Sequence, residues 1–252
     1  MQCREMEVYM IKGIYTSATG MLPNIKKQEL TAHNVANAAT PGYKKDSLFT
    51  RELSRAEQRQ RVTRSDWEQP MSEEIYTDYS AGMFDRTSNP LDLAIDGDGF
   101  FTLQLEDGST AITRNGSFTV NKDGMLAAPG GAIVVSEGGA IEIGNGKVTI
   151  SQSGEVEVDG SVMGQLTPVT VEDLQQLQKI GRGMFVVPEE VELIPVDYAV
   201  IRQGYIESSN VDIVSEMVDM IIAYRSYEAN AKSIQSQDDS LEKLFNRVGS
   251  RG

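Results

Sequence analysis

Two residue types that carry much of protein chemistry occur once each in this 252-residue chain, as His33 and Cys3. A Ser-His-Asp or Cys-His nucleophilic arrangement would have to use His33, and a zinc site needs several Cys or His ligands. One cysteine cannot close an internal disulfide. We therefore predict that the chain holds no catalytic residue, no metal and no cofactor, and we interpret His33 as a surface group on a helix.

Three carboxylates in "LDLAIDGDGFF", Asp92, Asp96 and Asp98, are the best remaining candidates for chemistry. Their spacing is similar to that of calcium loops, but Phe100 and Phe101 follow directly and no terminal Glu is correctly placed. The stretch also lacks the strand and helix context of a phosphate-binding loop. The pattern favours a hairpin turn. Paired carboxylates also act in glycoside hydrolysis, so a secreted β-rich carbohydrate-acting enzyme, or a carbohydrate-binding module with oligomerising helices, stays open as an alternative.

Charge is distributed unevenly along the chain. Residues 1–64 hold 11 Lys/Arg against 6 Asp/Glu, a net charge of +5, whereas residues 65–252 carry −19. Phosphate contacts require clustered Lys and Arg, so the acidic body argues against a nucleic-acid partner. The first residues contain no apolar segment typical of a signal peptide. We expect a chain that stays in the cytoplasm or leaves it by a route that reads no such signal.

Residues 10–39 show the apolar spacing of a long helix, alternating three and four residues as in coiled coils. Pro23 predicts a kink or restart near Leu22, and Pro41 ends the helix. The predicted apolar positions are 11, 14, 18, 21, 25, 28, 32, 35 and 39, of which only Gln28 is polar.

A second helix is predicted within residues 208–252. Ser208 to Asn210 supply an N-cap, and Ser209 with Asp212 fits a capping box. Such a long, narrow apolar stripe needs a partner helix. Its positions are 213, 217, 220, 224, 227, 231, 234, 238, 241, 245 and 248, and only Asp238 is not apolar.

The middle of the chain follows the two-residue period of strands. Seven Asp-Gly or Asn-Gly pairs lie between Asp96 and Gly160, many of them between stretches of alternating β-forming residues. These pairs accept the positive φ angles of tight hairpin turns. We predict an α+β fold with an antiparallel β-hairpin-rich central domain and long N- and C-terminal coiled-coil-like helices. The predicted parts are an extension at 1–9, a helix at 10–39, an extended connector at 40–85 holding Arg55, Arg59, Arg61, Arg64 and Trp67, a β domain at 86–207 and a helix at 208–252.

Three groups of residues together resemble one family. "GIYTSATGM" with "LTAHNVANAATPGYKKD" resembles the N-terminal signature of bacterial flagellar rod and hook proteins. "NPLDLAIDGDGFF" with "TRNGSFTVNKDGML" is similar to the opening of their β domain, and "QGYIESSNVDIVSEMVDMIIAYRSYEANAKSIQSQDDSLEKL" to their C-terminal signature. The short connector resembles proximal-rod proteins, lettered F, more than distal-rod proteins, lettered G. His33 stands where asparagine is common in the family, and Met10 matches the family's usual start.

The resemblance implies a structural rod subunit of the flagellar basal body, exported through the flagellar type III apparatus without a cleaved signal peptide. Its implied partners are copies of itself, other rod and hook subunits and that export apparatus, with no small-molecule substrate. The terminal helices then pack with those of neighbouring subunits around a central channel. From their positions on the two apolar stripes and beside them, we expect assembly to depend on Ile14, Ile25, Asn34, Val35, Asn37, Met217, Met220, Tyr224, Tyr227 and Leu241.

Overall fold

The computed structural model describes residues 2–52, 71–136, 138–144, 146–188, 190–196 and 198–249. The predicted connector residues Arg55, Arg59, Arg61, Arg64 and Trp67 lie outside these ranges. Two compact units are present, and each is assembled from separate stretches of the chain. The helical unit consists of Met1–Val35, Asp46–Tyr76 and Asp212–Gly252, and the β unit of Ala36–Lys45 and Thr77–Val211.

Two long helices and one small sheet form the helical unit. Helix α1 spans Gln2–Ala36 and helix α2 spans Ile213–Gly249. Strands β1 (Asp46–Glu52) and β2 (Met71–Thr77) pair with each other, so the stretch predicted as a connector contains regular structure. Helix α1 is continuous through Pro23, and the predicted restart near Leu22 is wrong. One proline removes a single backbone donor, and the neighbouring bonds of a 35-residue helix hold that turn.

The start of α2 is capped differently from the prediction. The carboxylate of Asp212 accepts hydrogen bonds from the backbone N–H groups of Val214 (3.0 Å) and Ser215 (3.4 Å), which makes Asp212 the N-cap. The hydroxyl of Ser209 instead accepts from Val211 N at 3.2 Å. The predicted Ser209–Asp212 capping box is therefore wrong, because the helix begins three residues later than that box requires.

Helices α1 and α2 run antiparallel and contact each other through polar side chains. Ser17 donates to Ser233 (3.4 Å), Lys27 pairs with Asp219 (2.9 Å), and Asn34 donates to Glu216 (3.1 Å). Residues later in α1 contact residues earlier in α2, as antiparallel helices require. Within the described ranges, neither helix carries the long apolar stretch that a membrane crossing needs.

Antiparallel strands dominate the β unit, as the hairpin signals predict. The strands are β3 (Phe84–Arg86), β4 (Leu93–Asp96), β5 (Phe101–Gln104), β6 (Thr110–Thr113), β7 (Thr119–Val120), β8 (Leu126–Ala127), β9 (Ile133–Ser136), β10 (Gly139–Ala140), β11 (Val148–Ile150), β12 (Glu155–Val158), β13 (Ser161–Gln165), β14 (Val169–Thr170), β15 (Gln178–Gly181), β16 (Met184–Val186), β17 (Ile194–Pro195), β18 (Val200–Gln203) and β19 (Tyr205–Glu207). A short 3-10 helix covers Leu174–Gln176.

The largest sheet has eight strands in the order β15-β16-β6-β5-β9-β8-β7, with β10 beside β9. Smaller sheets pair β11-β12-β13, β14-β17, β18-β4 and β19-β3.

The apolar core of the β unit contains two clusters, and the adjacent residues Phe100 and Phe101, just before and at the start of β5, belong to different ones. Phe101 packs in the larger cluster against Phe118, with ring centroids 5.1 Å apart, whereas Phe100 packs in the smaller cluster against Phe185 at 5.9 Å. Successive side chains of an extended chain alternate in direction. The "GFF" after the predicted acidic turn therefore anchors both clusters.

The Asp-Gly and Asn-Gly pairs serve two different purposes. Five of their glycines have positive φ angles, as tight turns require: Gly97, Gly99, Gly108, Gly124 and Gly160. Gly116 is needed for a different reason, because a Cβ atom there would overlap the carbonyl oxygen of Leu93. The carbonyl of Gly116 accepts a hydrogen bond from Leu93 N at 2.9 Å, so loop and strand lie backbone against backbone.

Replacing Gly116 with alanine should therefore destabilise the β unit, by on the order of 3 kcal/mol, since the added methyl group forces two backbones apart. Gly138→Ala is the matched control, because a Cβ there meets nothing closer than Ser136 Oγ at 3.8 Å. Denaturant-dependent hydrogen exchange of the amides of β4 and β5 measures the effect. Equal exchange in both variants would contradict this account of Gly116.

Candidate functional site

The residues that could do chemistry are bound to neighbouring protein groups. Asp92 accepts a hydrogen bond from Asn89 Nδ2 (3.0 Å), Asp96 pairs with Arg202, and Asp98 accepts from Tyr198 Oη (3.3 Å). His33 is exposed on α1. Among the described residues, no group of three or more His, Cys, Asp or Glu side chains could hold a metal ion. The acidic stretch forms a turn between β4 and β5, but these strands pair with other strands and not with each other, so the predicted hairpin at this position is wrong.

The expected assembly residues of the first helix lie in different surroundings. Ile14 and Val35 are half-buried on α1, Ile25 is exposed, and Asn37 is half-buried in the turn that follows the helix. Asn34 is buried: its amide donates to the carbonyl of Asp46 (2.8 Å) and its oxygen accepts from Asp46 N (3.0 Å). The buried amide thus attaches the end of α1 to the start of β1.

On α2 the expected residues divide into two groups. Met220, Tyr227 and Leu241 are half-buried, whereas Met217 and Tyr224 are 51% and 55% exposed. On α1 the contacting residues Ser17, Lys27 and Asn34 each precede a predicted apolar position by one residue. Sequence reasoning missed these contacts because small and polar side chains add nothing to a hydrophobic period.

An apolar surface remains open on the first half of α2. Its members recur every three or four residues and therefore share one side of the helix. Each is about half exposed or more, and contiguous apolar surface of this kind is typical of interaction sites. We call this the outer apolar face; it consists of Val214, Met217, Val218, Ile221 and Tyr224.

A buried charge cluster lies in the β unit, around the carboxylate of Glu207. This carboxylate accepts hydrogen bonds from Lys44 Nζ (2.6 Å), Gly82 N (2.9 Å) and Arg114 Nη1 (3.3 Å). All three charged side chains are buried, and Glu207 is fully so. We call Lys44, Arg114 and Glu207 the buried junction.

The buried junction brings together the three groups of residues that the sequence singles out. Lys44 belongs to "TPGYKKD", Arg114 to "TRNGSF" and Glu207 to "QGYIESSN". Backbone hydrogen bonds also join the segments of Lys44 and Glu207. Gly42 N donates to the carbonyl of Glu207 at 2.7 Å, and Asn210 N donates to the carbonyl of Tyr43 at 3.4 Å. Segments that are distant in the sequence thus form one structural element.

Two cations share one carboxylate in the buried junction. Burial lowers the pKa of Lys44 from its ordinary value, while the adjacent Glu207 opposes that shift, and burial lowers the pKa of Arg114 in the same way. Carbonyl groups supply further acceptors: Ser80 O for Lys44 (2.7 Å), and Ile95 O (3.0 Å) for Arg114. Sequence reasoning missed these residues because Lys, Arg and Glu normally lie at the surface.

Family models match two of these three segments, and relatives match nearly the whole chain. The chain matches the family models "Flagellar hook protein FlgE/F/G D1 domain" at residues 94–158 and "Flagellar basal body rod FlgEFG protein C-terminal" at 202–247. It is 30% identical to the flagellar basal-body rod protein FlgG of Buchnera aphidicola (subsp. Schizaphis graminum), over 93% of this chain and 99% of that protein. It is 31% identical to FlgG of Agrobacterium fabrum (91% and 96%). It is also 30% identical to the rod protein FlgF of Caulobacter vibrioides (95% and 99%).

The buried junction predicts an order of stability among variants. Glu207→Gln leaves two buried cations without an anion and should cost about 3–5 kcal/mol. Lys44→Met leaves Glu207 paired with Arg114, so its cost should be smaller, about 1–3 kcal/mol. Exposed Glu172→Gln is the control and should change nothing. Hydrogen exchange in β4 and β5 checks this order; a cost for Glu207→Gln no greater than that of the control would contradict it.

Proposed function

Because the chain belongs to the flagellar basal-body rod protein family, we propose that it polymerises helically through its terminal helices, forming part of the drive shaft and export channel. The chain is a structural subunit of the rod, located in the flagellar basal body, and it assembles with other rod and hook subunits. The family is structural, so the carbohydrate-acting alternative is not retained.

The outer apolar face of α2 is the observation that best supports assembly through the helices. Met217, Ile221 and Tyr224 are each more than half exposed. Fully burying an apolar side chain of this size contributes roughly 1.5–3 kcal/mol, so three of them provide a substantial gain on contact with another chain. Apolar surface exposed to water is unfavourable in free energy, and contact with another chain removes that surface from water.

The occupant of this face, in our proposal, is a terminal helix of another copy or of a related rod subunit. Such a contact joins different surfaces on the two chains, and contacts of this kind propagate into helical filaments when the rotation between subunits does not close. The charge distribution favours the same arrangement, because residues 1–64 carry a net +5 and residues 65–252 a net −19. Opposite charges guide head-to-tail approach.

The expected assembly residues fit this proposal with different roles. Met217 and Tyr224 would contact the neighbouring chain directly, together with exposed Ile25 of α1. Half-buried Ile14, Val35, Met220, Tyr227 and Leu241 would shape the helices that form the contact. Asn34 and Asn37 would position the end of α1 through side-chain hydrogen bonds.

Two finer features remain predictions from the resemblance. The first is export in an unfolded state through the type III apparatus without a cleaved signal peptide. The second is a proximal position in the rod, which the short connector favours. Relatives named FlgG and FlgF match at the same 30% identity, so overall identity does not separate the two positions.

Placing two acids on the outer apolar face should abolish assembly without unfolding the monomer. Met217→Glu with Tyr224→Glu adds two charges that cannot be buried against another chain. Gln235→Glu with Asn246→Glu adds the same charge at exposed polar positions of α2 and serves as the matched control. The control should support motility and appear in purified basal bodies, whereas the face variant should do neither. Recovery of the face variant in basal bodies at the control's level would contradict the proposal.

A further inference from the structure

Among the described residues, three polar pairs bond α1 to α2, and two glycines of α1 lie beside amide side chains of α2. Four of the α1 members, at positions 13, 20, 27 and 34, are spaced by seven residues, so they line one side of the helix. We call these pairs the polar seam: Gly13–Gln237, Ser17–Ser233, Gly20–Asn230, Lys27–Asp219 and Asn34–Glu216.

Gly13 leaves room for the amide of Gln237, whereas a Cβ on Gly20 would make only an ordinary contact with Asn230. A Cβ atom on Gly13 would lie 2.7 Å from Oε1 of Gln237, and one on Gly20 would lie 3.4 Å from Nδ2 of Asn230. Each amide tip therefore rests close to the backbone of α1. A shift of one residue along either helix would place an amide against a side chain instead.

A single register accounts for the whole seam. In four of the five pairs the two residue numbers add to the same value, 250, as expected of two antiparallel helices in one fixed alignment. In that alignment the position opposite Lys27 is Ala223, which is only 1% exposed. Its small side chain leaves space for Lys27 to reach Asp219, one turn along α2.

Polar contacts discriminate between registers better than apolar contacts do. Apolar side chains can pack in several alignments, whereas hydrogen bonds form only where donor meets acceptor, and a polar residue inside a helix pair selects the register at a cost in stability. That cost is visible at Gln237, whose Oε1 is buried and has no hydrogen-bond partner among the described residues.

We propose that the polar seam makes α1 and α2 of one chain select each other in a single antiparallel register. The outer apolar face of α2 lies away from these pairs and is left for a second chain. The choice of register stands on the contacts alone, and only the use of the outer face rests on the proposed rod function. The seam is thus a specificity device: it distinguishes a chain's own partner helix from the similar helices of sister subunits.

Disulfide formation in the purified full-length chain tests the register. In a Cys3→Ser background, Ser17→Cys with Ser233→Cys places two thiols where hydroxyl oxygens lie 3.4 Å apart. Ala18→Cys with Ser233→Cys is the matched control, displaced by one residue. The first pair should form an intramolecular disulfide about tenfold faster than the second, because bridging requires close Cβ atoms. Equal rates would overturn the register.

Apolar replacement tests whether polarity sets that register. Asn230→Leu with Gln237→Leu should reduce the tenfold preference to about threefold or less, since leucines pack in several alignments. Gln235→Leu with Asp239→Leu, at exposed positions of α2, should leave the preference intact. An undiminished preference in the seam variant would overturn the proposal.

Exchanging the charges of Lys27 and Asp219 tests the role of polarity even if the leucine variant fails to fold. Lys27→Asp alone should lower the preference about twofold, as expected for a partly exposed ion pair, and adding Asp219→Lys should restore it. No recovery in the exchanged pair would count against the seam. These measurements use the unassembled chain. Their outcome is therefore independent of whether the chain is incorporated into basal bodies.

Discussion

The buried carboxylate of Glu207 is the constraint on which the β unit depends. A fully buried carboxylate must be paired and hydrogen-bonded, and its partners come from two distant parts of the chain, Lys44 and Arg114. The backbone bond from Gly42 N to the carbonyl of Glu207 holds the same segments together. The β unit therefore folds completely only when the segments that contain Lys44, Arg114 and Glu207 are all in place.

This constraint explains why the compact units do not follow the order of the sequence. Residues 36–45 belong with the β unit although they directly follow α1, and the unit extends from Thr77 to Val211, beyond the predicted 86–207. Within the helical unit, Asn34 performs a comparable task by bonding both backbone groups of Asp46 and the carboxylate of Glu216. In each unit, a buried polar side chain thus bonds together segments that are separated in the sequence.

The helices of this rod subunit combine polar contacts with exposed apolar surface. Polar side chains bond α1 to α2, while Met217, Ile221 and Tyr224 are each more than half exposed. A monomeric protein would gain by burying those apolar side chains internally. In the proposed assembly, the hydrophobic gain from these side chains would instead come from the contact between chains.

The sequence by itself determined the α+β class and the family, because both depend on patterns within short stretches, whereas the cap of α2 and the continuity of α1 through Pro23 differ from the local patterns. Asp-Gly pairs predict turns through the φ angles of Gly97 and Gly108, alternating residues predict strands, and apolar spacing predicts two long helices. Only the tertiary structure decided which face of each helix is internal and that Glu207 is buried. Polar pairs between distant residues leave no periodic signal, and a buried charge looks like a surface residue until its partners are known.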